Sequence, residues 1–85
     1  MYIIILEKEA EKFLGKIDKT IAERITKKIH ELKNNPELGK PLVGRLSGLW
    51  SLRIGDYRAV YQIRKSELVV LVLKIGHRKD VYHQV

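Results

Sequence analysis

Gly48-Leu49-Trp50-Ser51-Leu52-Arg53-Ile54-Gly55-Asp56-Tyr57-Arg58-Ala59-Val60-Tyr61 reads as two strands joined by a tight turn. Trp50, Leu52 and Ile54 alternate with Ser51 and Arg53, the period-two signature of a strand with one apolar and one polar face. Gly55-Asp56 is turn chemistry. Beyond it Tyr57, Ala59, Tyr61 and Ile63 share one side, while Arg58, Val60, Gln62 and Arg64 share the other. So short a link joins antiparallel neighbours. After a second turn at Lys65-Ser66-Glu67, Leu68 to Leu73 is an unbroken apolar run, as expected of a strand covered on both faces at the middle of a sheet. Lys74 opens its far end, and from Gly76 the chain is expected to leave the strand as a basic tail.

Upstream, Tyr2 to Leu6 is β-rich and gives way to helix-forming Glu, Lys and Ala, so a short strand is expected to enter a helix. Ala10, Phe13, Leu14 and Ile17 recur at helical spacing; Gly15 with Asp18 predicts a helix stop followed by a new N-cap. Ile21, Ala22, Ile25, Ile29 and Leu32 form the apolar stripe of a second helix, with Thr20-x-x-Glu23 as an alternative capping box. Asn34-Asn35-Pro36 ends it, and residues 37–48 read as a loop partly tucked under the core. The order β-α-α-β-β-β predicts an α+β fold: a helical hairpin packed on a small, mainly antiparallel, twisted sheet. With 85 residues there is side-chain volume for one core, so a single domain over 1–85 is expected.

Composition narrows the chemistry. There is no Cys, which removes disulfide frameworks, thiolate zinc sites and cysteine nucleophiles, and fits a reducing cytoplasm. Three dispersed His are poor metal ligands, so neither metal nor cofactor is expected. The opening apolar run is too short for a secretory signal or a membrane span. Seventeen Lys and Arg against ten Asp and Glu give a net charge of +7, and five of the six Arg lie after residue 43. Lys on an amphipathic helix is mostly a solvated face, whereas Arg forks onto phosphate oxygens. The second half therefore carries the footprint of an anionic partner, nucleic acid first among them.

The polar strand faces place Ser51 and Arg53 near Arg58 and Gln62. Like charges gathered there repel, and a shared anionic ligand offsets the repulsion. The tail, Gly76-His77-Arg78-Lys79-Asp80-Val81-Tyr82-His83, is positioned to curl over that face and deliver Arg78. His77 and His83 are candidate acid or base groups; His30 is read as structural. Trp50, Tyr57 and Tyr61 are read as core, and Tyr82 as an aromatic free to stack on a base and reach a ribose.

The pairing of Gly-Asp-Tyr-Arg at 55–58 with Gly-His-Arg-Lys-Asp-Val-Tyr at 76–82 resembles the RelE toxins of the RelE/ParE superfamily, and the resemblance spans nearly the whole chain. It implies a toxin of a type II toxin-antitoxin module: a ribosome-dependent endoribonuclease that cleaves messenger RNA in the ribosomal A site and is silenced by a RelB-type antitoxin. The toxin alone is expected to be monomeric, with higher-order complexes forming around the antitoxin. By position, Arg58 and Arg78 match arginines that bind the scissile phosphate, and Arg53 the second of two alternate basic positions on the preceding strand. The first, usually Lys or Arg, is Ser51 here, a departure expected either to weaken transition-state stabilisation or to shift that role to Lys74 or Lys79. Tyr82 matches an aromatic that stacks on the codon and is a candidate base. Two alternatives share the fold: a ParE-like gyrase inhibitor, and a non-cleaving module that blocks translation by occupying RNA or the ribosome.

Overall fold

The computed structural model describes residues 1–82. In chain order it contains β1 (Ile3–Leu6), α1 (Lys8–Lys16), α2 (Lys19–His30), β2 (Lys40–Pro41), β3 (Trp50–Ile54), β4 (Tyr57–Arg64) and β5 (Val69–His77), with 3-10 turns at Glu31–Lys33, Pro36–Leu38 and Gly44–Leu46. Among the described residues no helix is long and apolar enough to cross a membrane. The five strands form one sheet in the order β1-β5-β4-β3-β2. β1 runs parallel to β5, and every other pairing is antiparallel. Residues 7–68, the helical hairpin and three strands, form the long connection that the parallel pair β1–β5 requires, and the α+β expectation holds.

Local chemistry explains the helix ends. Asp18 caps α2, accepting the Thr20 N–H at 2.8 Å, so Asp18 rather than Thr20 is the cap. Gly15 does not stop α1. The helix continues to Lys16, and the break comes at Ile17, whose backbone is extended. Gly15 is exposed with nothing near a Cβ position, so it costs only helix propensity.

Three strand expectations are corrected. The stretch 37–48 is more than loop: Lys40 and Pro41 pair with Ser51 and Trp50 and add an edge strand. Two residues carry no periodic signal, and Pro is tolerated at a sheet edge. Leu68 is not in the strand; it takes a left-handed backbone (φ 56°) in the preceding turn and is half-exposed, so β5 begins at Val69. That strand then runs past Gly76 to His77, and the tail starts later than expected. A bulge lies between the pairs Val60↔Lys74 and Tyr61↔Val72, leaving Leu73 as the extra residue.

Ala10, Ile25, Ile29 and Leu32 from the helical side pack on Leu52, Ile54, Ala59, Tyr61, Val70, Val72 and Ile75 of the sheet. Those sheet residues are alternate positions of β3, β4 and β5, so the opposite face of the same strands carries Ser51, Arg53, Arg58 and Gln62 together with the buried Val60 and Leu71. There the tail folds back. Asp80 and Val81 donate to the His77 carbonyl, and the Arg78 N–H donates to Asp56 O at 2.9 Å, tying the tail to the β3–β4 turn. Val81 is fully buried, its Cβ 3.6 Å from where a Cβ on Gly76 would stand.

Tyr61 locks the edge strand to the core. Its hydroxyl donates to Pro36 O at 2.7 Å and accepts the Gly39 N–H at 3.1 Å, while its ring stacks on Trp50 at 6.3 Å. Gly39 has to be glycine, because a Cβ there would lie 2.5 Å from Ser51 O and 2.8 Å from the Tyr61 hydroxyl. Burial raises the Tyr61 phenol above its ordinary value of 10.0; the Glu37 charge adds to the rise, and the Gly39 hydrogen bond opposes it. The folded chain thus holds this proton more tightly than the unfolded one. Its contribution is full below the ordinary phenol value and is lost as pH climbs through the raised one. Urea unfolding should therefore show a midpoint that falls at strongly alkaline pH, and Tyr61→Phe should blunt that fall. At neutral pH the same variant leaves Gly39 N–H and Pro36 O unpaired and should be about 1–3 kcal/mol less stable.

Candidate nucleic-acid interface

Arg53 and Arg58 are cross-strand partners in the β3–β4 ladder, as are Ser51 and Val60. Partners share a face with Cβ atoms about 5 Å apart, so both arginine side chains leave the sheet on the side opposite Leu52, Ile54 and Ala59. The Arg78–Asp56 backbone bond brings a third to the same end of the hairpin. All three line one open cavity of about 880 Å³, with Lys79 and Tyr82 from the tail and Ser51 from β3.

Two further cations complete the lining. Lys28 reaches in from α2, and Lys40 from β2 sits opposite Ser51. Sequence reasoning missed both. Lys28 has the i,i+3 partner Glu31 at 3.5 Å and reads as a solvated helix face; Lys40 lies in a stretch without period. Among the described residues six cations thus face the cavity, and no Asp, Glu or His lines it. Within that same set Arg53, Arg58 and Arg78 have no carboxylate within ion-pair distance. Guanidinium, ammonium and hydroxyl groups are a donor set for an anion, and the six charged groups repel a metal cation.

Ser51 is nearly fully buried, and its Oγ lies 2.9 Å from the Tyr82 hydroxyl. The residue standing where the resemblance expects a cation thus holds the tail aromatic against the sheet. Lys74 and His77 are not brought into the cavity. Lys74 lies with Glu9, Lys12, Phe13 and Lys16 in a separate cavity of about 250 Å³ beneath α1, because β1 pairs only with Val69 to Val72 and α1 packs where that pairing stops. His77 packs edge-on against Tyr57 with centroids 6.0 Å apart, and its Nδ1 accepts the Lys79 N–H at 3.3 Å. It shapes the turn that carries Arg78. His83 lies outside the described residues.

A helical hairpin on a mixed sheet, with a cationic pocket that no carboxylate lines among the described residues and that a tail tyrosine borders, is the class of small basic α+β protein to which this chain belongs. Comparison with known proteins supplies the family. Residues 4–82 match the family model for the ParE toxin of the type II toxin-antitoxin system, parDE, and the chain belongs to that family as a RelE-like toxin. It is 28% identical over 87 residues to the mRNA interferase toxin RelE of Escherichia coli K12, covering 98% of this chain and 92% of that protein. With toxin RelG of Mycobacterium tuberculosis it shares 38% identity over 55 residues, 64% of this chain and 63% of RelG, so that match spans just under two thirds of its relative. Among solved structures, the RelBE2 toxin-antitoxin complex of M. tuberculosis superposes with a TM-score of 0.84 at 30% identity, covering 91% of this chain and 98% of that one. The archaeal RelE–RelB complex of Pyrococcus horikoshii OT3 gives 0.75 at 27% identity, covering 91% and 94%.

Unpaired cations placed opposite one another oppose folding. Arg53→Gln should raise the melting temperature slightly, by a few tenths of a kcal/mol in stability. Added inorganic phosphate should stabilise the unaltered chain more than the variant, as read by thermal unfolding across a phosphate series at constant ionic strength.

Proposed function

We propose that the chain is a ribosome-dependent endoribonuclease that cuts messenger RNA in the A site, as the name of the E. coli relative, mRNA interferase, suggests by likeness. The observation that carries this reading is the meeting of Arg53, Arg58 and Arg78, from three stretches of chain, in one pocket with Tyr82. RNA brings its own nucleophile. The 2'-hydroxyl gives up its proton to a base as its oxygen attacks the adjacent phosphorus in line with the departing 5'-oxygen, which takes a proton from solvent water; a 2',3'-cyclic phosphate is left on one fragment and a 5'-hydroxyl on the other. The five-coordinate phosphorane carries more negative charge than the ground state, so placed guanidiniums bind it more strongly and lower the barrier. Arg58 and Arg78 clamp the phosphorane in this scheme, and Arg53 orients it. Tyr82, held by Ser51, stacks on a base and stands as the candidate proton acceptor. Alignment in the ribosome supplies much of the rate, since a free strand rarely samples in-line geometry.

A RelB-type antitoxin, as in the complexes that this chain resembles, is the proposed partner, and an acidic segment would neutralise the same cations. The family model itself is that of ParE, which favours inhibition of gyrase as the second reading.

Programmed ribosomes with codon-resolved primer extension test the choice. Cut ends within the A-site codon are expected for the unaltered chain, with a loss of a hundredfold or more in Arg78→Ala, on the order seen when a transition-state donor is removed. Toxicity that survives Arg58→Ala and Arg78→Ala while supercoiling fails would establish the gyrase reading instead. Growth arrest with uncut transcripts would point to occupancy alone. Ser51→Ala, which frees Tyr82, should slow cleavage while leaving ribosome binding within a few-fold of normal.

A further inference from the structure

Beside the main pocket lies a second groove of about 370 Å³, between α2 and the β3–β4 turn. Arg24 and Lys27 line it from α2, and Lys28 and Arg53 line both it and the main pocket, so the two cavities adjoin along a shared cationic wall. Positions 24, 27 and 28 share one face of α2, and Glu31 follows in the 3-10 turn that continues it. The groove's carboxylate, Glu31, is already engaged by Lys28 at 3.5 Å. Arg24 lies across the turn, its Nη1 3.8 Å from where a Cβ on Gly55 would stand. Among the described residues neither Arg24, Lys27 nor Arg53 has an ion-pair partner.

We propose that this groove is a second phosphate subsite, which holds the backbone of single-stranded RNA next to the phosphate in the main pocket. The inference rests on reading the main pocket as an RNA site, and it names where the strand goes on leaving. A polynucleotide does not end at the reacting phosphate, and Arg53 stands at the boundary between the two cavities. Among the described residues the lining has no aromatic side chain, so there is nothing to stack a base on, and recognition falls to charge alone without regard to base identity. An acidic peptide needs apolar anchors as well, and the groove's apolar residue, Ile54, is only 5% exposed.

The test measures binding of a labelled single-stranded 2'-O-methyl RNA of about ten nucleotides, a length within reach of such grooves, across a salt series. Its blocked 2'-oxygen prevents cleavage, so the readout is independent of the nuclease chemistry. Arg24→Gln with Lys27→Gln should flatten the slope of log affinity against log salt by about 0.7 for each phosphate no longer neutralised, hence by about 1.4 for two. Lys12→Gln with Lys16→Gln, the same charge change on α1, should leave the slope nearly unaltered. Both pairs are exposed, and circular dichroism melts confirm that each variant folds. Equal flattening in the two variants, an unchanged slope in the α2 variant, or no binding by the unaltered chain at low salt would overturn the proposal. If the α2 variant instead loses only its grip on an antitoxin, the groove belongs to a protein partner. Loss of ribosomal cleavage in Arg78→Ala tests the nuclease reading separately and does not bear on the slope.

Discussion

Pairing of β3 with β4 holds Arg53 opposite Arg58, and the rest of the molecule is arranged around that unfavourable juxtaposition. Two arginines about 5 Å apart at Cβ, with no carboxylate in ion-pair distance among the described residues, tend to drive the strands apart. What keeps the ladder closed is the other face of the same strands. Leu52, Ile54, Ala59 and Tyr61 are all buried against the helical hairpin, and slipping the register by one residue would exchange that set for the polar one. The apolar face therefore sets the spacing of the charged one. An anion placed between the two arginines would offset the repulsion that remains in the free protein.

The other walls of the pocket are fixed by single contacts rather than by broad packing. The tail is tied at the Arg78 N–H to Asp56 O, by burial of Val81 over Gly76, and by the Ser51–Tyr82 hydroxyl pair. The β2 wall is tied by Tyr61, whose hydroxyl reaches past the core to Pro36 and Gly39, and by the close approach of Gly39 to Ser51. Ser51 thus touches both walls: its carbonyl excludes a side chain at Gly39 while its hydroxyl holds Tyr82. A larger basic residue at this position would gain charge in the pocket and give up that hydroxyl pair.

Much of this was legible along the chain. Period-two alternation from Trp50 to Arg64 places Arg53 and Arg58 on one face whatever the rest of the protein does, since a strand offers its side chains only two directions. Helix stripes ending at Asn34-Asn35-Pro36 give the hairpin, and of the five Arg in the second half Arg53, Arg58 and Arg78 line the pocket. The strand Lys40–Pro41 was not legible, because two residues hold no period and their pairing is set by Ser51 and Trp50, eleven and nine positions on. Lys28 and Lys40 look like ordinary solvated cations until α2 and β2 are laid beside the hairpin.

Lys74 and His77 show the converse. Both belong to the basic segment that follows the apolar run, and counting along the chain groups them with Arg78. The bulge at Leu73 and the end of β1 pairing at Val72 leave Lys74 beside α1, while His77 turns to Tyr57. Local periodicity and turn chemistry determined which residues face which way, because steric limits on the backbone act over a few residues. Which of those faces meet to enclose a pocket was decided only by the tertiary fold. Contacts between chain segments far apart in sequence depend on shape and packing, and these have no short-range signature.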